Sequence, residues 1–96
     1  MLFALICTDK PASLEVRVAT RPDHVAYLKS LGDKLKFAGP FSGKDDKPNG
    51  SLVVIEAENH GSAEAIAASD PYAKAGLFQS VDIRAWNWTI NNPETK

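Results

Sequence analysis

The sequence predicts an α+β domain in which an antiparallel sheet carries two helices on one face. Two observations support this class. The strand and helix signals follow the order strand, helix, strand, strand, helix, strand, and 96 residues suffice for one such unit. This βαββαβ order is the ferredoxin-like arrangement. We therefore expect a single domain over residues 1–96, with a polar C-terminal tail at about 91–96.

The first half of the chain contains one strand signal and one clear helix signal. LFALIC (2–7) is an unbroken apolar run, which is typical of a strand covered on both faces. The pattern predicts a helix over PDHVAYLKSLGDK (22–34), because proline is favoured at a helix start and Gly32 is a natural stop. Residues 13–21 are either a separate helical turn or a loop.

The second half continues with two strands joined by a polar loop, a helix of small residues, a short helical turn and a last strand. The predicted ranges of these five elements are 35–41, 51–58, 60–70, 71–76 and 77–90. Ser62 is the expected cap of the longer helix. The loop SGKDDKPNG (42–50) either closes over a pocket or is simply solvated.

Composition argues against several classes of function. Eleven basic and twelve acidic residues give a net charge of −1 without a basic block, so nucleic-acid binding has no electrostatic support. MLFALIC (1–7) lacks a positive n-region and is too short to span a membrane, so we expect a soluble cytoplasmic protein. Cys7 is the sole cysteine and is expected to be a core side chain. No metal-ligand spacing or phosphate loop is present, so we expect no metal or other cofactor.

The apolar pattern of the strands also predicts an assembly. The first and third strands are apolar on both faces, whereas the two helices can cover only one face of the sheet. The other face needs a partner, most simply a second copy of the chain. We therefore expect a homodimer that forms through the sheet face.

His24 is the first candidate for chemistry. It shares a helical face with Leu28 and Leu31, so its side chain should point toward the sheet or its edge. One interpretation is a core histidine held by a single hydrogen bond. The other is a general base, since imidazole is the side chain that ordinarily titrates near neutrality.

Asp70 is the second candidate. An aspartate directly before Pro71 is the expected cap of the short helix that follows. A carboxylate has two oxygens, so the same side chain can cap a helix and orient a histidine. Sequence spacing does not show whether Asp70 meets His24.

Four further residues are candidates for substrate binding. Arg17 and Arg21 lie on one face if their segment is helical, where they could hold an anionic substrate or simply be solvated. Asp9 ends the first strand, where it either forms a turn or lies at the rim of the sheet beside a site. Trp86, with Trp88, is either an interface or core aromatic or one wall of a small-molecule pocket.

Four segments together resemble a known family. RPDHVAYL (21–28), AGPF (38–41), SLVVIEAE (51–58) and DPYAKAGLF (70–78) are, in this order and spacing, similar to the YciI-like (YCII-related domain) proteins. The resemblance covers nearly the whole chain. It implies a ferredoxin-like fold that pairs through its sheets into a dimeric α/β barrel.

The resemblance also implies an active site built on a histidine and an aspartate, which fall on His24 and Asp70. Asp70 would fix the imidazole tautomer, and His24 would move a proton to or from a small bound substrate. The expected function is therefore a small cytoplasmic enzyme, lyase-like or isomerase-like, acting on a small polar compound such as a cyclic or aromatic one. Two alternatives stay open: a non-catalytic ligand-binding or accessory module, and an interaction protein that uses its apolar sheet face. The family pattern does not specify a substrate.

Overall fold

The computed structural model describes residues 1–94, which form four strands, three α-helices and a short 3₁₀ helix at Gly32–Lys34. In chain order the strands and α-helices are β1 (Leu2–Asp9), α1 (Leu14–Ser30), β2 (Leu35–Ser42), β3 (Pro48–Glu56), α2 (His60–Ala68), α3 (Pro71–Lys74) and β4 (Phe78–Trp86). The strands form one antiparallel sheet in the order β2-β3-β1-β4. This topology confirms the predicted ferredoxin-like α+β class. Residues 95 and 96 of the predicted tail lie outside the described part of the chain.

The helices pack on one face of this sheet. Phe3, Leu5 and Cys7 alternate along β1 and are almost fully buried, and they face side chains of the helices. The core cluster consists of Phe3, Leu5, Cys7, Leu28, Val53, Ile55, Ala57, Ala63 and Ala67. Within residues 1–94, no helix is both long and apolar enough to cross a membrane.

Among residues 1–94, no helix covers the other side of the sheet, which we call the open face. Ala4 and Ile6 of β1 point to it and are partly exposed. Phe37 of β2 and Trp86 of β4 meet edge to face there, with ring centroids 5.8 Å apart, although their strands lie at opposite edges of the sheet. Their rings therefore extend over the two central strands, where Val54 is only 1% exposed.

Helix α1 differs from its prediction. It runs unbroken from Leu14 to Ser30 with Pro22 in its interior, so the prediction that a helix starts at Pro22 was wrong. Proline cannot donate to the carbonyl of Val18, one turn earlier. Val18 is 63% exposed, so water reaches this side of the helix and can satisfy that carbonyl. The first half of α1 is held to the sheet by Arg17, which binds Asp9 of β1 and Ser51 of β3.

Three smaller boundaries also differ from the sequence prediction. The cap of α2 is Asn59, whose side chain accepts a hydrogen bond from the backbone nitrogen of Ser62, so the cap predicted at Ser62 was wrong. Strand β3 begins at Pro48, which shortens the predicted 42–50 loop. Strand β4 ends at Trp86 rather than at residue 90.

Gly50 in β3 lies so close to the backbone of β1 that there is no room for a side chain at this position. A Cβ at this position would lie 2.5 Å from the carbonyl oxygen of Cys7, a backbone atom that cannot move aside. We expect Gly50→Ala to destabilise the protein by about 1–3 kcal/mol, the usual cost of overpacking. Urea unfolding should show this loss. Gly39→Ala is the matched control, since a Cβ there meets nothing within 4 Å. Equal stability of the two variants would contradict the expected clash.

Candidate active site

A cavity of about 180 Å³ lies between α1 and the edge strand β2, on the helix-bearing side of the sheet. Its β2 wall is formed by Ala38, Gly39 and Pro40, which are small and exposed, so the helix does not close over this edge. The polar residues that line it come from three elements. They are Arg17, Arg21, His24, Ser51 and Tyr72. The sequence therefore folds so that most of its candidate polar residues converge on one space.

His24 and Asp70 meet at this cavity. Nδ1 of His24 lies 2.9 Å from each carboxylate oxygen of Asp70. The two residues are 8% and 5% exposed, so water competes little for this contact. A carboxylate accepts only, so the contact assigns a proton to Nδ1, and in this tautomer of imidazole the lone pair lies on Nε2. Among residues 1–94, the hydrogen-bond contacts of His24 involve Nδ1 alone.

Asp70 is held in place by its second role. It is the N-cap of α3, and its Oδ1 accepts a hydrogen bond of 2.9 Å from the backbone nitrogen of Tyr72. The helix that starts at Pro71 ends before Gly76, which adopts a φ of +73° that favours glycine. The predicted cap is therefore confirmed. Because the cap fixes the carboxylate before any ligand binds, the position of the His24 ring is fixed as well.

Tyr72 forms a wall of the site that the sequence analysis missed. Its ring stacks on His24 with centroids 3.9 Å apart and an angle of 15°, and the guanidinium carbon of Arg17 lies 4.7 Å from the ring centroid. Burial raises the pKa of the Tyr72 phenol, although Arg17 and Arg21 oppose this effect. The phenol is therefore neutral at neutral pH. The sequence contains one indication of this position, because Tyr72 follows the capping Asp70 by two residues.

Arg17 lines the cavity and is held in place by protein groups through Nε and Nη2. Its Nε donates to Asp9 Oδ2 at 2.7 Å, and Nη2 donates to Asp9 Oδ1 at 2.9 Å. Nη2 also donates to the hydroxyl of Ser51 at 2.9 Å. The side chains of the ion pair are about 5% exposed. Asp9 thus neutralises Arg17 and does not itself line the cavity.

The other two predicted substrate-binding residues lie in different places. Arg21 is exposed at the cavity wall, and no carboxylate among residues 1–94 forms an ion pair with it. Trp86 lies on the open face, 37% exposed, and does not line this cavity. The structure therefore brings His24, Asp70, Arg17 and Arg21 together, but leaves Trp86 on the opposite side of the sheet.

Cys7 lies beneath the site on β1 and is buried. Burial raises the pKa of its thiol to about 12, and the Asp70 carboxylate adds to this shift. A thiol with this pKa is protonated at neutral pH and is a poor nucleophile. The structure thus agrees with the expectation that Cys7 is a core side chain.

Sequence comparison finds one family and several relatives. The family model of the YCII-related domain matches residues 1–87. The protein YciI of Escherichia coli is 37% identical over 92 residues, covering 88% of this chain and 94% of the relative. An uncharacterized protein of Haemophilus influenzae is 36% identical over the same length and the same shares of the two chains.

Solved structures show the same fold. The 5-chloro-2-hydroxyhydroquinone dehydrochlorinase TftG of Burkholderia phenoliruptrix, in complex with 2,5-dihydroxybenzoquinone, has a TM-score of 0.86 and 34% identity. The match covers 96% of this chain and 99% of that one. An antibiotic biosynthesis monooxygenase has a TM-score of 0.57 at 11% identity, covering 93% of this chain and 99% of that one. This second likeness shows the fold alone, which is that of the dimeric α/β barrels.

Proposed function

The chain belongs to the YCII-related domain family, and on this basis we propose that it is a small enzyme in which His24 and Asp70 perform general acid–base chemistry. The observation that carries the proposal is the buried contact between Nδ1 and the Asp70 carboxylate at the wall of a cavity. A ring nitrogen with its lone pair available, backed by a fixed carboxylate, is the arrangement of a general base.

The chemistry follows from this geometry. Nε2 of His24 takes a proton from a carbon or hydroxyl of the substrate, and the electron pair left behind forms a new double bond as a leaving group departs or a bond shifts. The imidazolium that forms is stabilised by the Asp70 carboxylate. The proton is then returned to the product or to solvent. Such a cycle fits an elimination or an isomerisation, which is a lyase-like or isomerase-like activity.

The cavity also suggests a class of substrate. Its volume of about 180 Å³ suits one small molecule, and Arg21 supplies a positive charge at its wall that no carboxylate neutralises among residues 1–94. A guanidinium of this kind binds an anionic oxygen. The similar solved enzyme acts on a chlorinated hydroxyhydroquinone and holds a dihydroxybenzoquinone. We propose that the substrate here is likewise a small oxygen-bearing ring compound.

Turnover of a named compound tests the proposal. We would incubate the wild-type protein with 5-chloro-2-hydroxyhydroquinone, measure chloride release against a protein-free control, and measure binding of 2,5-dihydroxybenzoquinone by calorimetry. We expect both binding and a protein-dependent release of chloride. Compounds that bind and are recovered unchanged would instead favour a binding module. If there is neither binding nor chloride release, both the enzyme and the binding module are contradicted for this class of compound.

We also propose that the chain forms a homodimer through the open face. The side chains that line a shallow groove there are mostly apolar, which is typical of a surface that another chain covers. They are Ala4, Ile6, Phe37, Leu52, Val54, Arg84, Ala85 and Trp86. In this assembly Trp86 would contribute to the interface, one of the two roles considered for it from the sequence.

An aspartate in the centre of the open face tests the dimer. Leu52→Asp would place an unpaired charge inside the interface, so we expect the dimer to dissociate to the 10.4 kDa chain in analytical ultracentrifugation. Val18→Asp is the matched control, because Val18 is 63% exposed on α1, on the other side of the sheet. A wild-type protein that sediments as a monomer at micromolar concentration would refute this assembly.

A further inference from the structure

Ser51 is a buried hydroxyl at the cavity that no residue pattern singled out. It lies in β3 opposite Cys7 of β1 and Pro40 of β2, and it is 3% exposed. The next residues on the same face of β3 are Val53 and Ile55, which belong to the apolar core. Ser51 is therefore the polar residue beside two apolar core residues on the same face of β3. It lines the cavity together with His24.

The hydrogen bond with Arg17 determines what the Ser51 hydroxyl can do. Its oxygen accepts from Nη2 of Arg17 at 2.9 Å. A guanidinium has donors only, so the hydroxyl proton cannot point back at Arg17. Among residues 1–94, the Ser51 side chain makes no other hydrogen bond that would accept this proton. The O–H is thus available to a group in the cavity.

Arg17 also makes this hydroxyl a better donor. A hydroxyl that accepts a hydrogen bond from a cation is polarised, and hydrogen bonds in such chains strengthen one another. Both oxygens of Asp9 hold the guanidinium, so the orientation of the chain Asp9, Arg17, Ser51 is fixed before a ligand binds. A donor that is fixed in advance needs no reorganisation when charge develops on a substrate oxygen.

We propose that Ser51 is a substrate-binding residue whose hydroxyl donates a hydrogen bond to an oxygen of the bound ring compound. Arg17 and Asp9 act as positioning residues for this hydroxyl. The inference deepens the proposed function and rests on it. When His24 removes a proton from the substrate, negative charge develops on such an oxygen, and Ser51 stabilises it.

The test measures binding of 2,5-dihydroxybenzoquinone by calorimetry and chloride release from 5-chloro-2-hydroxyhydroquinone. The variants are Ser51→Ala, Ser51→Thr and the control Ser42→Ala, whose serine is exposed at the end of β2. We expect Ser51→Ala to weaken binding about tenfold or more, the usual effect of losing a hydrogen bond to a charged group. It should also lower kcat about 100-fold or more, as for the loss of one oxyanion donor. Ser51→Thr keeps the hydroxyl and should restore most of both quantities, and Ser42→Ala should match the wild type.

The possible outcomes separate this inference from the proposed function. If the wild type binds and turns over the compounds and Ser51→Ala does so equally well, Ser51 serves only to satisfy Arg17, and the inference is overturned while the proposed function stands. If the wild type neither binds nor reacts, both fail together. If Ser51→Ala does not fold, Ser51→Thr and Ser51→Cys are compared instead. A fully active threonine variant beside an inactive cysteine variant supports the role of the hydroxyl, and equal activity of the two contradicts that role.

Discussion

Asp9→Ala is expected to destabilise the folded protein by about 3–5 kcal/mol, because it leaves the Arg17 guanidinium buried without its counter-charge. Both carboxylate oxygens of Asp9 bind Arg17, and the two side chains are about 5% exposed. Water cannot replace the carboxylate as it would at the surface. Urea unfolding at one fixed protein concentration, followed by tryptophan fluorescence, measures the loss.

A double variant distinguishes the effect of an unpaired buried charge from a general loss of folding. Asp9→Ala combined with Arg17→Met removes both charges and keeps an apolar stem of similar length, so it should recover much of the lost stability. The control Glu64→Ala removes the contact with His60, in which both side chains are exposed. It should leave the unfolding midpoint unchanged. An Asp9→Ala protein as stable as the wild type would show that the pair does not hold the first half of α1 to the sheet.

His24→Gln is expected to lower kcat by about 100-fold to 10,000-fold, the usual contribution of a general base. Glutamine can still donate a hydrogen bond to Asp70, but it cannot take up a proton. Asp70→Asn should have a comparable effect for a different reason. An asparagine can cap α3, yet it no longer selects the ring tautomer that leaves the lone pair on Nε2. Chloride release from 5-chloro-2-hydroxyhydroquinone measures both variants.

The second histidine of the chain provides the control. His60 also contacts a carboxylate, with Nδ1 2.7 Å from Oε1 of Glu64, but it is exposed and lies outside the cavity. His60→Gln should therefore keep full activity. If His24→Gln and His60→Gln both retained the wild-type rate, proton transfer by His24 would be ruled out, although the cavity could still bind ligands.

Local patterns in the sequence account for much of the fold. The order of strands and helices follows from apolar periodicity and from turn residues, and both of these patterns are visible in the sequence. The cap at Asp70 was readable too, because a capping carboxylate, a following proline and a terminal glycine lie within seven residues of one another. His24 could be assigned to the inner face of its helix from the positions of Leu28 and Leu31.

Contacts between distant segments could not be read in this way. Arg17 binds Asp9, eight positions away, and Ser51, 34 positions away, and neither spacing has a local signature. The same contacts explain the wrong start of α1. A proline in a helix interior costs about 3 kcal/mol, so the local pattern favoured a break at Pro22, whereas tertiary contacts of the preceding turn outweigh that cost. The stacking of Tyr72 on His24 depends on the same tertiary arrangement.

Nitrogen NMR of the two imidazoles tests the central claim most directly, because it needs no knowledge of the natural substrate. At a pH at which both rings are neutral, long-range proton–nitrogen spectra distinguish a protonated Nδ1 from a protonated Nε2. We predict that His24 is protonated on Nδ1 in the wild type, that Asp70→Asn removes this preference, and that 2,5-dihydroxybenzoquinone shifts the Nε2 signal of His24 but not that of His60. A His24 ring protonated on Nε2, with spectra unchanged by Asp70→Asn, would contradict the account of the site.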